Sequence, residues 1–283
     1  MIELKQVTKQ YGQAAVLKNI SLSIDEPGIY CLLGRNGAGK TTLLKSVAGY
    51  QNITRGTIQV DGRPISTATL DTGVSYIENF AKHFNLPVRQ LLKIAWEVNP
   101  EYDYDFASEM TERFELDGKK RFNHLSLGMK TMVSTIICLA SNKSAVLLDE
   151  PVLGFDAIMR AEFYDMLRES FQKHPRIIIV STHIIEEIAK TIQKLIIIDK
   201  GSIRFFDTLQ AVETKAFSIS GLQKDVEAAT RDLKVIGRDM VGGLATAYIF
   251  DEPPAQTASL EIRPLPLQDF FIQMVGHKGG AAR

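Results

Sequence analysis

Gly28-Ile29-Tyr30-Cys31-Leu32-Leu33-Gly34-Arg35-Asn36-Gly37-Ala38-Gly39-Lys40-Thr41-Thr42 is the stretch on which the fold turns. It is an apolar run followed by a glycine-rich loop, and Thr42 to Val47 then continue with helical spacing as far as Gly49. Gly34 to Thr41 fit G-x-x-x-x-G-K-[ST], the phosphate-binding pattern. A chance match of this kind occurs in about one chain in a hundred of this length, and the strand before it and the helix after it strengthen the reading. Glycines let backbone N–H groups turn inward around a phosphate, and the helix N-terminus adds its positive dipole. Lys40 is suited to reach the β- and γ-phosphates, and Thr41 to offer its hydroxyl to Mg²⁺.

Working outward, three more continuous apolar runs follow: Ala145 to Leu148, Ile177 to Val180 and Leu195 to Ile198. Runs of this kind bounded by turns predict central parallel strands covered on both faces. Before them, Leu22 and Ile24 alternate, as do Ile58 and Val60 ahead of an Asp61-Gly62 turn, which predicts half-buried N-terminal strands. Residues 86–141 have helical texture instead. Val88, Leu91, Leu92 and Ala95 share one face, Asn99-Pro100 stops that helix, and Phe106, Met110 and Phe114 recur at i, i+4, i+8. From residue 210 the texture changes again. Leu222, Val226, Ala229 and Leu233 form a helical stripe, Asp251-Glu252-Pro253-Pro254 marks a loop, and Leu267, Phe270, Phe271, Met274 and Val275 predict a final amphipathic helix before a frayed Gly279-Gly280-Ala281-Ala282 end. The expected organisation is an α/β unit over 1–209, interrupted by a helical insert at about 86–141, with an α+β accessory domain over 210–283.

Charge and composition remove other classes. The 283 residues carry 33 Lys+Arg and 33 Asp+Glu, and zero net charge argues against gripping nucleic acid or anionic membrane by bulk electrostatics. The longest apolar runs are five residues, far short of the roughly 20 a spanning helix needs, and Met1-Ile2-Glu3-Leu4-Lys5 has no signal-peptide form. Any membrane role is therefore expected to run through a partner. Cys31 and Cys138, in apolar surroundings, are expected to be buried reduced thiols.

Two further elements carry chemistry. Leu147-Leu148-Asp149-Glu150-Pro151 is an apolar strand ending in adjacent carboxylates, a costly arrangement unless they serve a metal or a reaction. Asp149 is suited to hold Mg²⁺ and Glu150 to polarise an attacking water. Val180-Ser181-Thr182-His183 ends another apolar strand, which would put His183 at the same sheet edge.

With Leu125-Ser126-Leu127-Gly128-Met129 added, the chain resembles the ATP-binding subunits of ATP-binding-cassette (ABC) transporters over about residues 2–208. That stretch looks like the family signature LSGGQ, and all four motifs stand in the family order. The resemblance implies an α/β P-loop NTPase core with an N-terminal antiparallel β part, the helical insert and a small C-terminal α+β appendage. It implies an ATPase using ATP and Mg²⁺. Gly34, Arg35, Asn36, Gly37, Ala38, Gly39, Lys40, Thr41 and Thr42 would hold the nucleotide, and Tyr11 matches the adenine-stacking aromatic, a plain surface tyrosine being the other reading. Asp149 matches the magnesium aspartate, Glu150 the catalytic glutamate and His183 the switch histidine at the γ-phosphate. Gly154-Phe155-Asp156 resembles the inter-subunit loop, with Asp156 as its acid. Two cassettes, identical or paralogous, would pair head to tail, so that Ser126 and Gly128 of one face the γ-phosphate held by Lys40 of the other. The remaining implied partner is an integral membrane permease, with the chain on the inner face of the membrane and no nucleic acid involved.

Departures sharpen the resemblance. Leu127 and Met129 replace the usual glycine and glutamine, a form similar to a subgroup of bacterial drug and peptide exporters. In Val74-Ser75-Tyr76-Ile77-Glu78-Asn79 the family's loop glutamine is missing, and Glu78 or Asn79 stands in for it, Glu78 as a candidate metal ligand. Leu260 to Pro264 and Leu267 to Phe271 look like that subgroup's C-terminal strand and helix, or equally a generic packing element. A single P-loop speaks against a two-cassette translation factor, and the short insert against a chromosome-maintenance ATPase. Asn142-Lys143-Ser144-Ala145 lacks the acid a GTPase needs. A soluble cassette serving an assembly such as cofactor biogenesis stays open as the alternative.

Overall fold

Alternation along fully buried strands builds the centre of the molecule. The computed structural model describes residues 1–69, 71–77, 85–254 and 260–276. The chain opens with the antiparallel pair β1 (Ile2–Tyr11) and β2 (Ala14–Ile24). The apolar run forms β3 (Gly28–Leu33), with every residue buried, and the glycine loop leads into α1 (Lys40–Val47). Next, β4 (Arg55–Val60) and β5 (Arg63–Pro64) complete an antiparallel sheet in the order β2-β1-β4-β5. After β6 (Val74–Ile77) come the insert helices α2 (Val88–Val98), α3 (Tyr104–Arg113) and α4 (Leu127–Ala140). The core resumes with β7 (Ala145–Asp149), α5 (Ala157–Lys173), β8 (Ile177–Ser181), α6 (Ile185–Ile188), β9 (Lys194–Asp199) and β10 (Ser202–Thr208).

The central sheet has the order β10-β9-β3-β8-β7-β6, parallel except for β10. Ile29, Cys31, Leu33, Val146, Leu148, Ile178 and Val180 pack on the side of the insert helices. Their alternates Tyr30, Leu32, Ala145, Leu147, Ile177 and Ile179 pack with α1 and the first sheet. Successive side chains point to opposite faces, so a strand covered on both sides reads as an unbroken apolar run. Both cysteines are buried free thiols, and burial pushes the Cys138 thiol up to about 12. Among the described residues no helix is long and apolar enough to cross a membrane.

The C-terminal part comprises α7 (Leu209–Lys215), β11 (Ala216–Leu222), α8 (Gln223–Ala229), β12 (Val235–Val241), β13 (Leu244–Phe250), β14 (Glu261–Pro264) and α9 (Leu267–Gly276). Its antiparallel sheet runs β12-β13-β11-β14, with Val226 of α8 packed among Phe217, Ile219, Ala247 and Ile249. The predicted stripe from Leu222 to Leu233 is shorter in fact. Leu222 is drawn into β11, where it pairs with Leu244, and α8 stops at Ala229, leaving Leu233 beyond it. Helix α9 returns to the main core, where Phe270 is buried against Phe205 and Phe250. The expected frayed end from Gly279 lies outside the described residues, as do Glu78 and Asn79.

Candidate functional site

One row of the sheet assembles the site. Leu32 of β3 pairs with Ser181 of β8, and Ser181 pairs with Asp149 of β7. The chain beyond each of these three residues carries the glycine loop, His183 and Glu150 respectively, so parallel register alone brings the motifs to one edge. There a cavity of about 340 Å³ is lined by Arg35, Asn36, Gly37, Gly39, Lys40, Thr41, Thr42, Asp149 and Glu150, with Val16 of β2. Gly39 precedes α1 at φ +112°, and a Cβ there would meet Leu17 Cδ2 at 3.0 Å and the Val16 carbonyl at 3.1 Å. No acidic residue occupies the first turn of α1, which leaves the helix's positive end facing the cavity.

Charge is arranged tightly here. Lys40 is 8% exposed, its Nζ donates to the Gly34 carbonyl at 2.8 Å and lies 3.9 Å from Glu150 Oε1. Asp149 is buried, accepting at Oδ2 from Thr41 Oγ1 (2.6 Å) and at Oδ1 from Ser181 Oγ (2.5 Å). Glu150 sits at φ +49°, a conformation that costs a non-glycine residue energy and persists where surroundings enforce it. Its amide donates to both the carbonyl (3.0 Å) and Oγ (3.1 Å) of Ser181, and its Oε2 lies 2.8 Å from His183 Nδ1. A carboxylate, an ammonium, an imidazole and a second carboxylate bonded to a hydroxyl thus meet beside an anion-receiving loop, a set suited to phosphoryl chemistry.

Other predicted residues lie elsewhere. Gly34 lines an adjoining cavity of about 380 Å³ with His183 and Phe271, and Ala38 is buried in the loop. Ser126 caps α4, accepting from the Met129 amide at 3.2 Å, and Asp156 caps α5, accepting from Met159 at 2.9 Å. Between them Gly128 packs on Gly154, where a Cβ on Gly128 would lie 2.7 Å from the Gly154 carbonyl oxygen. Ser126, Gly128 and Asp156 are therefore neighbours that do not line the phosphate-loop cavity of their own chain. Tyr11 does not line it either: the residue is 51% exposed and its hydroxyl donates to Gln51 Oε1 at 2.5 Å. Ser181, Val16 and Gln51 take their places beside these residues without a role assigned by any sequence motif. Ser181 carried a signal, a small polar residue closing an apolar strand, whereas Val16 and Gln51 carried none.

Comparison with known proteins decides the family. Residues 17–153 match the family model described as ABC transporter. Over 98% of its length the chain is 28% identical to the ABC transporter ATP-binding protein YtrB of Bacillus subtilis (strain 168), covering 99% of that protein. It is 30% identical to the lantibiotic transport ATP-binding protein SrtF of Streptococcus pyogenes, over 66% of this chain and 82% of that one. The chain belongs to the ABC transporter ATP-binding subunits. It is thus an ABC ATPase. Its fold agrees: a solved ATP-binding subunit of an ABC transporter superposes with a TM-score of 0.68 at 23% identity, over 75% of this chain and 92% of that one. A bacterial ABC transporter cassette solved as a dimer gives 0.66 at 23% identity, over 74% and 99%. The YtrB match extends through the C-terminal part of this ABC ATPase.

Proposed function

We propose that this ABC ATPase powers a separate membrane permease that exports drugs, peptides or similar compounds, and that it works at the inner face of the membrane as one of a pair of cassettes. The names of its relatives support transport: lantibiotic transport for SrtF, and bacitracin transport for BcrA of Enterococcus faecalis, 30% identical over 72% of this chain and 68% of that one. The form of Leu125 to Met129 supports export. The division into a cassette over 1–209 and an accessory domain over 210–283 is supported by the separate small apolar cluster under α8.

In this reading the phosphates of ATP lie along Gly34–Thr42, with Lys40 and the N-terminus of α1 opposing their charge. Thr41 and Asp149 would hold Mg²⁺. They fit it, since two hard oxygen donors already touch at 2.6 Å. Among the described residues no group of three or more His, Cys, Asp or Glu could hold a metal alone, so phosphate oxygens and water would complete the shell. When bound, the ion supplies charge neutralisation at the β- and γ-phosphates. Glu150 accepts a hydrogen bond from the attacking water and orients it in line, and His183 steadies that carboxylate and reaches the γ-phosphate. Ser126 and Gly128 of the second cassette close over the phosphates, and Asp156 bridges the two subunits. Tyr11 stacks on adenine.

The observation carrying the reading is the placement of the Glu150 carboxylate, between His183 and Lys40 on a backbone pinned by Ser181. Glu150→Gln keeps the shape and removes the base. Turnover is expected to fall by about a hundredfold or more, with ATP still bound and ATP-bridged dimers accumulating in size-exclusion runs. Unimpaired hydrolysis in that variant removes Glu150 from the role. Purification from membranes is expected to bring down a polytopic protein; recovery with soluble partners alone would overturn the transport reading.

A further inference from the structure

Gln51 belongs to no motif, yet its side chain joins two elements that the nucleotide reading uses separately. Its Nε2 donates to the Thr42 carbonyl at 2.7 Å and to Ser46 Oγ at 3.1 Å, both on α1. Its Oε1 accepts from the Tyr11 hydroxyl at 2.5 Å, at the end of β1. The site asks for a group that donates at one end and accepts at the other, which an amide supplies and a carboxylate or hydrocarbon does not. Tyr11 is held a second time by the Lys9 ammonium, 4.9 Å from the ring centroid, while Lys9 Nζ donates to the Asn52 carbonyl at 2.6 Å. A half-exposed tyrosine at a strand end would otherwise sample several rotamers, and ordering it on ligand binding would cost entropy. The first-turn residue Thr42 lines the phosphate-loop cavity.

We propose that Gln51 is a positioning residue. It fixes the Tyr11 ring relative to the first turn of α1, so that the base platform and the phosphate loop form one preorganised unit. The inference rests on the reading of Tyr11 as the surface on which the base stacks. It predicts that Gln51 contributes to binding of a nucleotide with a base and contributes nothing to binding of the bare phosphate chain.

The test uses the full chain as Gln51→Leu, Tyr11→Phe, the double variant and Tyr11→Ala. Each is titrated calorimetrically with a non-hydrolysable ATP analogue and, separately, with inorganic tripolyphosphate, both with Mg²⁺. Gln51→Leu is expected to weaken the analogue about fivefold and leave tripolyphosphate unchanged. Tyr11→Phe, which keeps the ring and loses the anchor, should match it, and the double variant should be no weaker than either single one, as for two ends of one bond. Equal loss of both ligands in Gln51→Leu would mean that the residue merely supports α1, and the inference falls. If Tyr11→Ala weakens the analogue and Gln51→Leu does not, the inference falls while the stacking role of Tyr11 stands. An analogue affinity unchanged by Tyr11→Ala removes the stacking role itself, and the inference with it.

Discussion

Ser181 holds the two acids of the site in different ways. Its hydroxyl donates to Asp149 Oδ1 and accepts from the Glu150 amide, and the residue is fully buried. Ser181→Ala would leave a buried carboxylate one donor short, a loss of about 1–3 kcal/mol in unfolding free energy. It would also loosen the backbone that keeps Glu150 at positive φ. The expected kinetic signature is a kcat lowered about tenfold with KM for ATP little changed, read by steady-state ATPase assays beside urea denaturation. Lower stability with unaltered kcat would make Ser181 a purely structural residue. Lys40, Thr41, Asp149, Glu150 and His183, which the structure brings together, were legible in the sequence because each sits in or just after an apolar run and the motifs occur together in one chain, although a strand ending in acids or a lone histidine says little by itself. The partner of the Ser181 hydroxyl lies 32 residues away on a neighbouring strand, and no local spacing reveals a bond across a ladder. Val16 and Gln51 were hidden for the same reason, since they reach the site through tertiary packing.

Asp103 shows how the insert is tied to the core at the scale of elements. It caps α3 by accepting from the Phe106 amide at 2.9 Å and takes the Lys173 ammonium, at the end of α5, at 2.7 Å. Burial works against the charged form, but the bonds from Lys173 and the Phe106 amide outweigh it and hold the carboxyl below its usual value. A depressed carboxylate contributes stability fully above its unfolded value near 3.9, and that contribution is lost as pH falls through the lower folded value. Asparagine caps about as well as aspartate, so Asp103→Asn isolates the ion pair. A deficit of about 1 kcal/mol or less is expected at neutral pH, because half of Lys173 is exposed. It should close in acid in urea unfolding series, and a gap constant from neutral pH to pH 3 would contradict the assignment. The Asn99-Pro100 stop and the apolar spacing make α2 and α3 readable from the sequence. The length of α8 was not readable, because pairing of Leu222 with Leu244 claims that residue for a strand. Nor was the order β10-β9-β3-β8-β7-β6, which the crossovers set and the apolar runs do not encode.

At the scale of the whole molecule, the change of texture at residue 210 suggests an appendage, but not that its last helix comes home. Phe270 of α9 is fully buried, with ring centroids 5.0 Å from Phe205 of β10 and 5.4 Å from Phe250 of β13. Its neighbour Phe271 lines the cavity of about 380 Å³ shared with Arg35, Asn36 and His183. Three aromatic rings thus join the C-terminal sheet, the terminal helix and the edge of the central sheet, and they do so beside the nucleotide loops. Aromatic pairs in this geometry add to the area they bury, so the joint should behave as a core and not as a loose interdomain contact. Phe270→Ala is expected to cost about 3–5 kcal/mol in chemical denaturation. Hydrogen exchange should quicken along α9 and also in 182–188, the segment of His183 and α6 against which α9 packs. Ile272→Ala on the same helix, a residue 46% exposed, is the control and should change stability by no more than about 0.5 kcal/mol. A loss below about 1 kcal/mol in Phe270→Ala, or faster exchange confined to α9 alone, would mean that the terminal helix is not mechanically joined to the histidine segment.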